Sequence, residues 1–172
     1  MTWQEKIIRD ARDKTVAESI VEAISKLFER DRVLFEIDAN ERSITHRLGI
    51  YLQEKFSDWD VDCEYNKEGN NAKHLCDKIG AAAPDDTDAK TVYPDIIIHK
   101  RNNDENNKVI IEVKKAKNSQ PNEIDLNKLS ILSKRLKYEN ALFLRLKTGK
   151  GGIGVTEFCW VIPGEMDDCV NN

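Results

Sequence analysis

Long apolar runs are missing from this sequence. No stretch approaches the roughly 20 residues that a membrane-crossing helix needs. The charged opening Met1-Thr2-Trp3-Gln4-Glu5-Lys6 lacks the apolar block of a secretory signal. A cytoplasmic protein without membrane contact is the expectation. Cysteine is scarce and poorly spaced for metal. Cys63, Cys76, Cys159 and Cys169 form no CxxC pair, which argues against a zinc ribbon and leaves free thiols as the reading. His74 and Cys76, two apart in a polar stretch, make a weak metal pair at most. No helix-turn-helix or zinc finger supplies base readout. Excess positive charge is absent too. The formal net charge of -4 disfavours a protein that coats nucleic acid indiscriminately. It leaves room for a local basic patch, because carboxylates gathered at one site contribute to the negative total.

What is present suits one compact domain. Apolar residues make up 40% and charged residues 34% of 172, enough for a core and a soluble surface. Residues 3–30 carry Ile7, Ala11, Ala17, Ile20, Ile24, Leu27 and Phe28 near helical spacing, with no Gly or Pro, and predict one long helix. Residues 31–38 form a short connector. A second helix is expected over 40–56, with Asn40 as N-cap, Glu41 in the first turn, and Ile44, Leu48, Tyr51 and Leu52 as its apolar stripe. Residues 59–65 alternate as a half-exposed strand. The polar segment 66–91 reads as a long loop; its Asp85, Asp86 and Asp88 are best taken as solvated. Strands are expected at 92–99 and 108–115, joined as a hairpin. A helix follows over 121–138, with Ile124, Leu129, Leu132 and Leu136 buried and Lys128, Lys134, Arg135 and Lys137 on the polar side. A strand at 141–147, a glycine-rich turn at 148–154, an edge strand at 158–162 and a frayed end complete the chain. Three successive strands favour an antiparallel meander, and the helix before the next strand a crossover. A mixed α/β fold with helices against a mixed sheet follows.

Two of these strands carry charge where apolar residues belong. Tyr93-Pro94-Asp95-Ile96-Ile97-Ile98 has Asp95 at its head, and Val109-Ile110-Ile111-Glu112-Val113-Lys114 has Glu112 and Lys114 at its tail. Strand side chains alternate, so Glu112 and Lys114 share a face. Hairpin pairing brings Asp95 beside them. Two nearby buried carboxylates repel, and a hard divalent cation relieves that repulsion. Oxygen ligands suit Mg2+ or Mn2+. Lys114 adds a charge able to orient a phosphate or assist attack by water. The arrangement suits hydrolysis of a phosphodiester.

Pro94-Asp95, sixteen intervening residues and then Glu112-Val113-Lys114 resemble the PD-(D/E)xK nuclease signature. The order of elements is similar to the restriction endonuclease-like αβββαβ core of that superfamily. The resemblance spans about residues 40–147. It implies an N-terminal helical extension over 1–38 and a C-terminal strand and tail over 148–172, all within a single nuclease-like domain. It implies a metal-dependent nuclease acting on nucleic acid, with DNA as the expected polymer and Mg2+ or Mn2+ as cofactor. Asp95 takes the place of the metal-bridging carboxylate, Glu112 that of the second ligand, and the Val113 carbonyl that of a third. Lys114 matches the catalytic lysine, and Glu41 the helix-borne acid that reaches the metal, often through water.

Other residues carry two readings each. Lys115 and Lys117 extend the positive patch toward substrate phosphates, or are ordinary surface lysines. His46 lies about 140° around its helix from Glu41, so it is a weak substrate contact or a structural histidine. Glu64 is a supporting acid or, preferably, solvated. Tyr93 stacks on a base or, standing before a proline, serves packing. Two alternatives to the DNA nuclease stay open. One is a nucleic-acid-binding or protein-interaction module with weak or no cleavage on the same scaffold, and the other is an RNA endonuclease. A homodimer would let two single sites cut both strands of a duplex.

Overall fold

The computed structural model describes residues 1–64, 67–68, 71–72, 93–103 and 105–162. Residues 73–92 and 163–172 lie outside them, and with them the proposed His74–Cys76 pair, the acidic cluster at Asp85, Asp86 and Asp88, and the expected frayed end. The helices are α1 (Trp3–Asp10), α2 (Lys14–Arg30), α3 (Arg32–Glu36), α4 (Glu41–Lys55) and α5 (Asn122–Arg135). The strands are β1 (Asp60–Cys63), β2 (Lys67–Glu68), β3 (Asn71–Ala72), β4 (Ile96–His99), β5 (Asn107–Lys115), β6 (Asn140–Lys147) and β7 (Gly154–Trp160). Short β2 and β3 pair only with each other.

The long N-terminal helix expected over 3–30 is in fact two helices. Thr2 and Glu5 close a capping box at the start of α1. The Lys14 ammonium then donates to the carbonyls of Ile8 (2.9 Å) and Ala11 (2.8 Å), ending α1. Asp13 accepts from the Val16 amide at 3.1 Å and starts α2. A charged cap on each side of the break replaces the Gly or Pro that a sequence pattern looks for. The connector at 31–38 folds as α3, and Asn40 caps α4 as expected by accepting from the Ser43 amide at 2.8 Å.

The main sheet runs β1-β4-β5-β6-β7. β1, β4 and β5 form the antiparallel meander, β5 and β6 pair in parallel across α5, and β7 returns antiparallel. This is a five-stranded mixed sheet flanked by helices. Side-chain alternation gives it two faces. Ile96, Ile98, Val109, Ile111, Val113, Leu142 and Leu144 pack against α1, α2 and α4. Ile97, Ile110, Ala141 and Phe143 pack against Leu129 and Leu132 of α5 and Leu136 just after it. Each fully buried Val, Leu, Ile or Phe side chain among these contributes about 1.5–3 kcal/mol. Among the described residues no helix is long and apolar enough to cross a membrane. Cys63 carries a free thiol. Cys159 is disulfide-bonded, which corrects the expectation of free thiols: spacing along a chain does not report which sulfurs meet in space.

β4 starts at Ile96, later than the expected 92–99. Pro94 has no N–H to offer a ladder, and the Asp95 side chain bonds across to β5 in place of a backbone group. On α5, Ile124 is 61% exposed instead of buried. At 100° per residue Ile124 sits well off the line through Leu129, Leu132 and Leu136, whereas Asp125 falls on it.

α4 lies close on β1 because Gly49 faces it. A Cβ built on Gly49 would stand 2.8 Å from Cys63 Sγ. Gly49→Ala is therefore expected to cost about 1–3 kcal/mol by overpacking, against a helix-propensity gain of about 1 kcal/mol. In a Cys63→Ala background the same change should be neutral or stabilising. Urea unfolding of the four proteins measures this, and an equal loss in both backgrounds would place the cause elsewhere.

Candidate functional site

β5 is built to present charge at one end of one face. Ile110, Glu112 and Lys114 alternate on the α5 side, with Val109, Ile111 and Val113 opposite. Apolar packing of the first half of the strand thus fixes where the last two polar side chains go. Ile96 pairs with Ile111, and continuing that register sets Asp95 beside Glu112. Asp95 Oδ2 accepts from the Val113 amide at 2.7 Å. One residue pair further on, Glu41 Oε2 at the start of α4 accepts from the Lys115 amide at 2.9 Å. Asp95 and Glu41 therefore hold the end of β5 along the edge that β4 does not reach, while β6 pairs with the other edge.

The other partners come from α5. Lys128 Nζ donates to both oxygens of Glu112, at 2.8 and 2.9 Å. Asp125 makes an ion pair with Lys114. These four side chains are nearly or largely buried, with 6–16% of each accessible. The polar-side assignment of Lys128 is corrected: Asp125 and Lys128 stand one turn before Leu129 and Leu132 and point to the sheet as those leucines do. Sequence reasoning missed both as site residues, although that i to i+4 relation was the available signal.

Burial pushes the Asp95 carboxyl up to about 6, against the pull of the Val113 amide and Lys128, with Glu41 and Glu64 adding upward pressure. Burial and then the charge of Asp95 push Glu112 up to about 8, and the two contacts from Lys128 only partly offset this. The folded protein thus keeps protons that these groups release near pH 4–4.5 when unfolded. Stability from this source is complete at low pH and declines as pH rises from about 4 toward 8. Denaturant titrations from pH 5 to 9 should show a downward slope that flattens in Glu112→Gln. A wild-type slope no steeper than that of the variant contradicts the assignment.

The donor set suits a hard cation in part. Half-buried Asp95 and buried Glu112 are neighbouring carboxylates, and the charge of Asp95 disfavours that of Glu112, the condition a divalent ion relieves. The Val113 carbonyl points to the same side of β5 as its amide, toward Asp95. Among the described residues, however, no group of three or more His, Cys, Asp and Glu side chains gathers at metal-holding spacing. Asp95 and Glu112 are a two-carboxylate site. Glu41 is near enough to raise Asp95, but its bonded oxygen serves Lys115.

The side chains of the remaining candidates have other partners or face solvent. Lys115 Nζ lies 2.9 Å from Asp38 Oδ1 and Lys117 Nζ 2.8 Å from Asp38 Oδ2, so both proposed phosphate contacts are ion-paired. Those lysines, with Thr148, hold the Asp38 carboxyl well below its usual range. His46 is exposed on α4. Glu64 pairs with Arg42 at 2.7 Å on the surface, and Tyr93 is half-buried. Compared with known proteins, the chain matches no family model, no curated protein and no solved structure.

Proposed function

We propose that this protein is a metal-dependent nuclease that hydrolyses phosphodiester bonds, with DNA as its polymer, on a restriction endonuclease-like core. The observation that carries this reading is the half-buried Asp95 beside the buried Glu112, with buried Lys114 on the same face of β5 as Glu112. The order α4, β1, β4, β5, α5, β6 supports it, as does Glu41 at the first turn of α4 beside Asp95. Asp95 and Glu112 would hold Mg2+ or Mn2+, with the Val113 carbonyl as a further oxygen donor. When bound, that cation supplies Lewis-acid stabilisation of phosphoryl charge and acidifies water. Lys114 supplies a fixed positive charge at the water or phosphate oxygen where negative charge grows. Ile97, Ile110 and Phe143, packed directly below, keep bulk water from the buried side and strengthen these interactions. Asp95 and Glu41, each bonded to a β5 amide, fix the site to the sheet and limit reorganisation on binding.

A second reading has its own support. Both Glu112 and Lys114 already have partners on α5, as a cluster needs if it only stabilises a binding or interaction module. Cation titration and a cleavage panel separate the two. The nuclease should give Mn2+ binding heat that disappears in Asp95→Ala and Glu112→Ala. It should also give EDTA-sensitive cutting of plasmid, linear duplex or single-stranded DNA. Cutting of RNA alone reassigns the polymer. No site-dependent heat together with no cutting leaves the module.

A further inference from the structure

The cation reading leaves the two α5 contacts without a role, and their geometry is specific. A divalent ion on Glu112 would share the two oxygens that Lys128 engages at 2.8 and 2.9 Å, and the ammonium's like charge opposes it there. Asp125, three residues earlier on the same helix face, occupies Lys114, the group expected to act on the phosphate. One rigid face of one helix thus covers both a ligand and the lysine. The loop leading into that helix is itself anchored. Arg145 on β6 donates to the Asn118 carbonyl at 2.7 Å and to the Asn122 side chain.

Resting on the nuclease reading, we propose that the first two turns of α5 form an autoinhibitory latch, with Lys128 as a built-in competitor of the cation and Asp125 as a restraint on Lys114. The protein carries its own counter-ion on Glu112, and cation binding is favoured when that ammonium moves away. Because Lys128 and Asp125 share a helix face, a shift that frees Glu112 also frees Lys114. Site assembly and lysine release become one event. A ligand shifts such an equilibrium only by its preference for the open form, so the latch lowers apparent cation affinity by the fraction of molecules that are open.

Mn2+ binding followed by electron paramagnetic resonance, with wild type and variants compared at one fixed pH, tests this. Lys128→Met should bind Mn2+ at least tenfold more tightly than the wild type, and the gain should vanish when Glu112→Gln is added. Independently, Mn2+ added to the wild type should speed amide exchange over residues 122–129 at least twofold, because α5 loses two contacts. A Lys128→Met protein that binds Mn2+ no more tightly overturns the latch. If its Mn2+ binding still depends on Asp95, the cation reading survives that result. Binding by neither protein overturns both. Should Lys128→Met fail to fold, Lys128→Gln and the exchange measurement decide: unchanged or slowed exchange over α5 on Mn2+ binding refutes the latch.

Discussion

Asp95→Asn is expected to lower cation-dependent cleavage at least about 10³-fold and to remove Mn2+ binding, while Lys114→Met lowers cleavage about 10²–10³-fold and leaves Mn2+ bound. The two losses have different origins. Asp95 has two duties: Oδ2 accepts from the Val113 amide, and the carboxylate charge belongs to the proposed cation site. Asparagine keeps a side-chain carbonyl for the amide and gives up only the charge, so the fold should survive. Lys114 contributes nothing to the ligand set. Methionine there preserves the packing of the side-chain stem over the sheet and removes the fixed positive charge. Single-turnover cleavage, circular dichroism and Mn2+ titration on the same preparations resolve the pattern. Wild-type cleavage by a folded Asp95→Asn protein would sink the assignment of Asp95. Loss of Mn2+ binding in Lys114→Met would show that the lysine supports the ligands instead of acting on the substrate.

Lys128→Met should be among the most destabilising single changes in the chain above pH 8, costing about 3 kcal/mol. Removing one member of a buried ion pair leaves the other charge uncompensated, and such losses run to about 3–5 kcal/mol. Glu112 limits the loss by taking up a proton, since burial and Asp95 already push it up to about 8. The cost should therefore shrink toward pH 5, where the carboxyl is neutral with or without the lysine. Adding Glu112→Gln should recover most of it at high pH, because a neutral amide needs no counter-ion. Guanidinium unfolding at pH 5 and pH 9 on the two single variants and the double variant completes the cycle. A cost independent of pH would mean that Lys128 contributes through its methylene packing instead of its charge.

Much of the framework was legible because periodicity and caps are local. Asn40 announced α4, the alternation through Ile110, Glu112 and Lys114 announced the charged face of β5, and the spacing to Asp95 placed both carboxylates together. The break at Ala11–Asp13 was not legible as such, because it rests on a lysine and an aspartate that elsewhere belong to a solvated helix face. Lys128 was misplaced for a related reason. Charged residues on an amphipathic helix usually face water, and only the charge already buried on β5 reverses that preference here. Lys115 and Lys117 looked available for phosphates because nothing along the chain links them to Asp38, some 77 to 79 residues earlier. Asp38 itself sits at a positive φ of 56°, a local backbone detail that composition does not report.

Asp95 and Glu41 have a consequence beyond chemistry. Antiparallel β4 starts only opposite Ile111, which leaves later β5 amides on that edge without a strand to receive them. The two carboxylates take the amides of Val113 and Lys115 and so stand in for the missing strand. An uncovered ladder end of this kind is a template on which another chain can add a strand. The acids proposed to hold the cation therefore also guard the sheet against its own self-association, and apolar replacements at these positions carry a solubility hazard separate from any loss of catalysis.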